Sequence, residues 1–159
     1  MLKVLLVDDE PFIVQGLSAL IDWEKEGFEI VGTAGNGSEA VEFLKSNPVD
    51  LILADIKMPV MNGLEFLKYI RETHLSEAFF VILSGYGDFT YAKEAIKWQC
   101  TDYILKPIQK SQLLALLSKV KQMQQDKKEE SERIRKIGKA YFVPVSYTHL
   151  RAHETGAYL

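Results

Sequence analysis

The chain has 159 residues, 47% of them hydrophobic, and a formal net charge of -3. That length suits one ordinary domain with a modest extension and excludes a second full domain, and the slight acidity excludes a general electrostatic attraction to nucleic acid. A lone Cys100 excludes an internal disulfide. The apolar run at residues 4–7 is too short for a signal peptide or a membrane span, so a cytoplasmic protein with no membrane contact is expected.

Residues 2–7 predict the first strand, and Pro11 opens a helix carrying Ile13, Leu17, Leu20 and Ile21 at helical spacing. Gly27 ends that unit. Residues 28–34 predict the second strand; Asn36-Gly37-Ser38 then turns into a helix with Ala40, Val41, Phe43 and Leu44, which Asn47-Pro48 closes. The third strand is expected at 51–54, the third helix around 64–70 and the fourth strand at 79–83. Asp88 is the candidate N-cap of a fourth helix running through Trp98. Residues 103–105 predict the fifth strand, and a long helix starts near Ser111 with Leu113, Leu114, Leu116, Leu117 and Val120 along its buried side. Five such β/α repeats imply an α/β fold with a buried parallel sheet and right-handed crossovers.

Beyond Val120 the composition changes, because residues 122–135 are almost wholly polar or charged. Leu113, Leu116, Val120, Met123, Ile134 and Ile137 keep a heptad-like register, interrupted by Lys127 and Glu130. Two readings stand: a solvated continuation of the last helix, or a short coiled coil joining the domain to a partner or a second domain.

Polar residues close the apolar runs: Asp8 and Asp9 the first, Asp55 the third, Ser84 the fourth and Lys106 the fifth. Ligands of parallel sheets gather at the strands' carboxyl ends, so three acids, a hydroxyl and an ammonium are expected to converge. Carboxylates held a few ångströms apart repel one another unless a cation sits among them. Magnesium suits such hard oxygen donors and commonly bridges carboxylates to phosphate oxygens. With its charge screened, one carboxylate can attack a phosphoryl group while Lys106 and Ser84 each meet one phosphoryl oxygen. Asp55, central among the acids, is the candidate nucleophile. Taken singly, each part has a plainer explanation: Asp8 and Asp9 as helix caps, Ser84-Gly85 as a turn, Lys106-Pro107 as a loop.

Leu5-Leu6-Val7-Asp8-Asp9-Glu10, Asp55-Ile56-Lys57-Met58-Pro59 with Met61-Asn62-Gly63, Ser84-Gly85-Tyr86, and Asp102-Tyr103 with Leu105-Lys106-Pro107 follow in order and spacing. In these motifs the chain resembles the receiver domain of two-component response regulators, from residue 1 to about 120. The resemblance implies a flavodoxin-like (βα)5 fold, a doubly wound five-stranded parallel sheet of order 2-1-3-4-5, with an extended C-terminal helix. It implies that Asp55 accepts a phosphoryl group from a sensor histidine kinase. Magnesium would be bound by Asp9, Asp55 and the backbone carbonyl of Lys57, with Asp8 helping through water. It also implies a cis bond between Lys106 and Pro107, and a switch in which Ser84 moves toward the phosphoryl group and Tyr103 turns inward. That motion would remodel the face of the fourth helix, fifth strand and fifth helix, the usual homodimer surface of such domains. Lys57 and Tyr86 flank the acceptor and are expected to hinder the attacking water, giving a slowly hydrolysing phospho-form.

Asp22-Trp23-Glu24 followed by Gly27-Phe28-Glu29-Ile30-Val31-Gly32, and Gly85-Tyr86-Gly87-Asp88-Phe89 leading to Tyr91-Ala92-Lys93-Glu94-Ala95-Ile96, resemble receivers of the AraC-type regulators. Gln99-Cys100 departs from the small pair common there. Such proteins bind promoter DNA through C-terminal helix-turn-helix units. Residues 145–155 resemble a translated sequencing adapter, with Tyr158-Leu159 as its continuation. The expected organisation is therefore a receiver over 1–121, a helical linker over 122–143 toward a missing DNA-binding effector, and a non-native tail over 144–159. A natural polar tail, with His149 and His153 at helical spacing, is the other reading. A stand-alone phosphorelay receiver would share every site residue. An aspartyl-nucleophile phosphatase would need an acid two residues after the nucleophile, where Lys57 stands, so a phosphoacceptor rather than an enzyme is expected.

Overall fold

The structure is a computed structural model that describes residues 1–85 and 89–140. The chain divides into two units, Met1–Val120 and Lys121–Leu159. In the first, strands and helices alternate: β1 (Leu2–Val7), α1 (Pro11–Leu20), β2 (Phe28–Ala34), α2 (Gly37–Leu44), β3 (Leu51–Asp55), α3 (Gly63–Glu72), β4 (Phe79–Ser84), a 3-10 turn at Phe89–Tyr91, α4 (Ala92–Lys97) and β5 (Asp102–Leu105). The last helix, α5 (Lys110–Ala140), begins in the first unit and runs through the described part of the second.

All strand pairs are parallel, as the apolar runs predict, and their order is β2-β1-β3-β4-β5, as the resemblance implies. Successive side chains of a strand face opposite ways, so each inner strand feeds two apolar layers. Leu5, Val7, Ile52, Ala54, Phe80 and Ile82 pack under α2, α3 and α4. Val4, Leu6, Leu51, Leu53, Val81 and Leu83 pack under α1 and the first turns of α5. Burial on both faces explains why β1, β3 and β4 read as continuous apolar runs rather than as alternating ones.

Helix starts follow local chemistry. Asn36 caps α2 by accepting from the Glu39 N–H at 2.9 Å. Asn62 caps α3 in a reciprocal box with Glu65, with bonds of 2.8 and 2.9 Å. The fourth helix is shorter than its sequence pattern predicts: the 3-10 turn takes its first residues and Trp98 is its C-cap. Asp88, its predicted N-cap, lies outside the described residues.

In the second unit the described residues are helical and mainly exposed, including Ile134 and Ile137. Gln122 donates to Asp126 and Gln125 to Glu129, both at 2.9 Å, and Arg133 pairs with Glu130. Such one-turn pairs stabilise a solvated helix by about 0.2–0.5 kcal/mol each. The tail from residue 144 lies outside the described residues, as do His149 and His153. No helix among the described residues is long and apolar enough to cross a membrane.

Candidate functional site

Parallel pairing brings the carboxyl ends of β1, β3, β4 and β5 to one edge of the sheet. Val7 pairs with Ala54, Asp55 with Leu83, and Ser84 with Leu105. Asp55 and Ser84 are thus the last residues of their strands rather than the first residues after them. Asp8 extends β1 by one step through its N–H to the Ala34 carbonyl, 3.0 Å, and Lys106 extends β5 through its N–H to the Ser84 carbonyl, 2.7 Å.

One carboxylate oxygen from each of Asp8, Asp9 and Asp55 lies within 4.8 Å of the others. Lys106 Nζ donates to Asp8 Oδ2 at 2.8 Å and stands 3.3 Å from Asp55 Oδ1. Asp8 and Asp55 are buried, whereas Asp9 is exposed. Backbone donors orient the buried pair: Glu10 N–H bonds Asp8 Oδ1 at 2.9 Å, and Ile56 N–H bonds Asp55 Oδ1 at 2.8 Å. Glu10 is the N-cap of α1 and makes no side-chain cap, so the carboxylate of Asp8 is engaged at the sheet edge and not in the helix.

Burial raises the Asp55 pKa, the Lys106 charge pulls it down, and the Asp8 charge pushes it up again; the net shift is upward. For Lys106 burial acts to lower the pKa, but the hydrogen bond to Asp8 and the charges of Asp55 and Asp8 outweigh it, so the ammonium is held above its ordinary value. The cluster holds three carboxylates, and the one ammonium pairs with two of them, Asp8 and Asp55. The excess of two negative charges, all on hard oxygen donors, fits a divalent cation of the magnesium type.

Asp55 is also fixed from behind. Gly63 opens α3 with its N–H on the Ile56 carbonyl at 2.9 Å, and a Cβ built on it would stand 2.2 Å from the Asp55 carbonyl oxygen. Only glycine lets α3 start against the end of β3.

Ser84 is fully buried, its Oγ donating to the Gly85 carbonyl at 3.3 Å. Tyr103 pairs with Ile82 in the β4–β5 ladder and packs, partly buried, in the layer under α2, α3 and α4, outside the carboxylate cluster. Lys57 is exposed and lines a cleft of about 420 Å3 with Asp9, Met58, Pro59, Asn62 and Tyr91. The Lys106–Pro107 peptide bond is cis. Tyr86 lies outside the described residues. Sequence reasoning quoted Tyr91 only within a family motif and gave it no place in the site, yet it lines the same cleft as Asp9. It quoted Gly63 only as part of a motif.

Comparison with known proteins agrees with this geometry. The family model "Response regulator receiver domain" matches residues 4–118. The transcriptional regulatory protein YesN of Bacillus subtilis is 40% identical over 120 residues, which are 76% of this chain and 32% of that protein. The transcriptional regulatory protein HptR of Staphylococcus aureus is 37% identical over 120 residues, 76% of this chain and 46% of its own. The chain therefore spans about a third to just under half the length of these curated relatives. Among solved structures, the REC domain of AraT, a response regulator from Geobacillus stearothermophilus, superposes with a TM-score of 0.74 at 38% identity, over 80% of this chain and 98% of that one. A two-component transcriptional regulator AraC from Clostridium phytofermentans gives a TM-score of 0.69 at 33% identity, over 77% and 94%.

Proposed function

We propose, because the chain belongs to the response regulator receiver domains, that Asp55 takes a phosphoryl group from a sensor histidine kinase in the cytoplasm and thereby switches a transcription regulator. The observation that carries this reading is the placement of Lys106 Nζ between two carboxylates of the acidic triad, 2.8 Å from Asp8 and 3.3 Å from Asp55. An ammonium held there neutralises one phosphoryl oxygen as charge develops on it. An Asp55 carboxylate oxygen attacks phosphorus; the bond from phosphorus to the donor's histidine nitrogen breaks, and its electron pair returns to the imidazole. Asp8, Asp9, Asp55 and the Lys57 carbonyl would hold magnesium, which when bound draws charge from the phosphoryl oxygens. Lys57→Ala is expected to speed loss of phosphate from Asp55 severalfold by opening the cleft to water; an unchanged rate removes Lys57 from that role.

A macromolecular donor needs a surface beside the acceptor. An apolar cavity of about 470 Å3 lined by Phe12, Ile13, Leu20, Pro107 and Ile108 adjoins Lys106, with Phe12 65% exposed. This is the surface we assign to the kinase. On the output side, Ser84 is drawn to the phosphoryl oxygens and Tyr103 follows into the space it leaves. Ile96 and Leu105, exposed at 73% and 41%, are apolar positions on α4 and β5 suited to homodimer contact through α4, β5 and α5. The relatives are named as transcriptional regulatory proteins, which supports an output in transcription; we place a DNA-binding output domain beyond a receiver at 1–121 and a helical linker at 122–143.

Incubation with magnesium and a small phosphodonor is expected to add one phosphoryl mass to the wild-type chain and none to Asp55→Ala, read by intact mass. Equal labelling of the two would refute Asp55 as acceptor.

A further inference from the structure

Asp9 and the Lys57 carbonyl, two of the groups assigned to the cation, lie on separate loops, one after β1 and one after β3. A single short turn over residues 34–37 touches both loops. The Ala34 carbonyl accepts from the Asp8 N–H at 3.0 Å, and the Gly37 N–H donates to the Met61 carbonyl at 2.9 Å. The turn is itself tied down: Asn36 Oδ1 accepts from the Glu39 N–H at 2.9 Å, and Glu39 Oε1 accepts from the Gly35 N–H at 2.8 Å. It can therefore act as a spacer between the two loops.

The loop after β3 has a shape that needs holding. Val60 has a φ of 68°, a left-handed value rare for a β-branched residue. The Met61 N–H bonds the Pro59 carbonyl at 2.7 Å, closing a three-residue turn of the strained kind. The Val60 side chain is 82% exposed, so its own packing does not impose this shape. Backbone bonds hold the loop instead, the Gly63 N–H on the Ile56 carbonyl at its base and the Gly37 N–H on the Met61 carbonyl beside the strained turn. Strained backbone of this kind persists only where its surroundings over-determine it, and it gathers at functional sites. The contact at Gly37 is also close. A Cβ there would stand 2.7 Å from Met61 Cγ and 2.9 Å from the Met61 carbonyl oxygen. The side chain can turn away, but the carbonyl moves only with the turn at Val60.

We propose that Gly37 is a positioning residue for the cation site, a role that rests on the reading of Asp9 and the Lys57 carbonyl as magnesium ligands. By holding the Met61 carbonyl it keeps the strained turn in place, and with it the spacing between the Lys57 carbonyl and Asp9. Gly37 acts through the loop and is not itself a ligand.

Magnesium chloride titrations of the full chain at constant ionic strength test this, followed by proton–nitrogen NMR at the amide of Met58, which shares its peptide group with the Lys57 carbonyl. Gly37→Ala is expected to weaken binding about tenfold, the low end for groups that orient metal ligands. Gly37→Pro deletes the N–H outright and is expected to weaken it at least as much. Proline suits the first position of a helix, and Asn36 already has the extended backbone, φ -163° and ψ 174°, that precedes proline. Thermal unfolding shows which variants are folded, and Gly37→Ala decides if the proline variant is not. Val41→Ala loosens the same helix from its buried face; it is expected to lower the melting temperature and leave the binding constant unchanged. A wild type without a saturable response, or an Asp9→Ala variant that keeps it in full, overturns the cation-site reading and the proposal with it. A wild-type response that Gly37→Ala retains in full, or that Val41→Ala loses equally, overturns the positioning role alone.

Discussion

Gly63→Ala is expected to lower the melting temperature by roughly 10 °C and to slow phosphorylation of Asp55 by about a hundredfold. The added Cβ meets the Asp55 carbonyl oxygen at 2.2 Å and the Ile56 Cα at 3.0 Å, and both are backbone atoms that cannot rotate away. Either α3 backs off from β3 or the end of β3 shifts. Overpacking of this kind costs about 1–3 kcal/mol. Backing off would strain the bond from the Gly63 N–H to the Ile56 carbonyl, and a shift in β3 moves the attacking carboxylate itself. Thermal unfolding and the rate of labelling by a small phosphodonor measure the two effects separately. A variant with wild-type values in both would contradict the close approach.

Lys106→Met is expected to slow the same labelling by about 10²–10³-fold and to move the acid limb of its pH–rate profile to higher pH. Methionine keeps the stem and removes the charge. Burial and Asp8 already hold the Asp55 pKa up, with the Lys106 charge acting against them; without that charge the carboxylate protonates at still higher pH, so less nucleophile exists in mild acid. Stability has its own sign. A lysine whose folded pKa is raised contributes fully below its unfolded value and loses that contribution only as pH rises through the folded value. The variant therefore forfeits it across the neutral range. Asp55 behaves oppositely to a paired carboxylate. Its raised pKa favours the fold in acid, and that gain is lost as pH rises through the folded value. An unmoved acid limb would remove Lys106 from the control of Asp55.

Much of this was written in the chain. The apolar runs of β1, β3 and β4 are legible because both faces of those strands are buried, and the polar residues that stop them name the site. The ladder itself was harder to read. Asp55 and Ser84 look like loop residues in the sequence, yet each is paired within the sheet, because pairing depends on a neighbouring strand rather than on the residue. The partnership of Lys106 with Asp8 spans 98 positions, and no local pattern encodes it. Nor does the sequence announce what Gly63 avoids, since the obstacle is a carbonyl eight positions earlier brought back by the turn. The setting of Arg71 was invisible for the same reason: it looks like an ordinary helix-end residue until the carbonyls of two loops, Ser76 and Ala78 before β4 and Gln99 before β5, meet its guanidinium.

The two apolar layers separate the proposed switch from the proposed donor surface. Tyr103 belongs to the layer under α2, α3 and α4, whereas Ile104 and Ile108 belong to the layer under α1 and α5. The switch proposed from Ser84 to Tyr103 would therefore act on one side of the sheet. The cavity formed by Phe12, Pro107 and Ile108 stands on the other. On the proposed function, the receiving side would greet its donor with the same contour before and after the reaction, while the reporting side would change its appearance to whatever reads it.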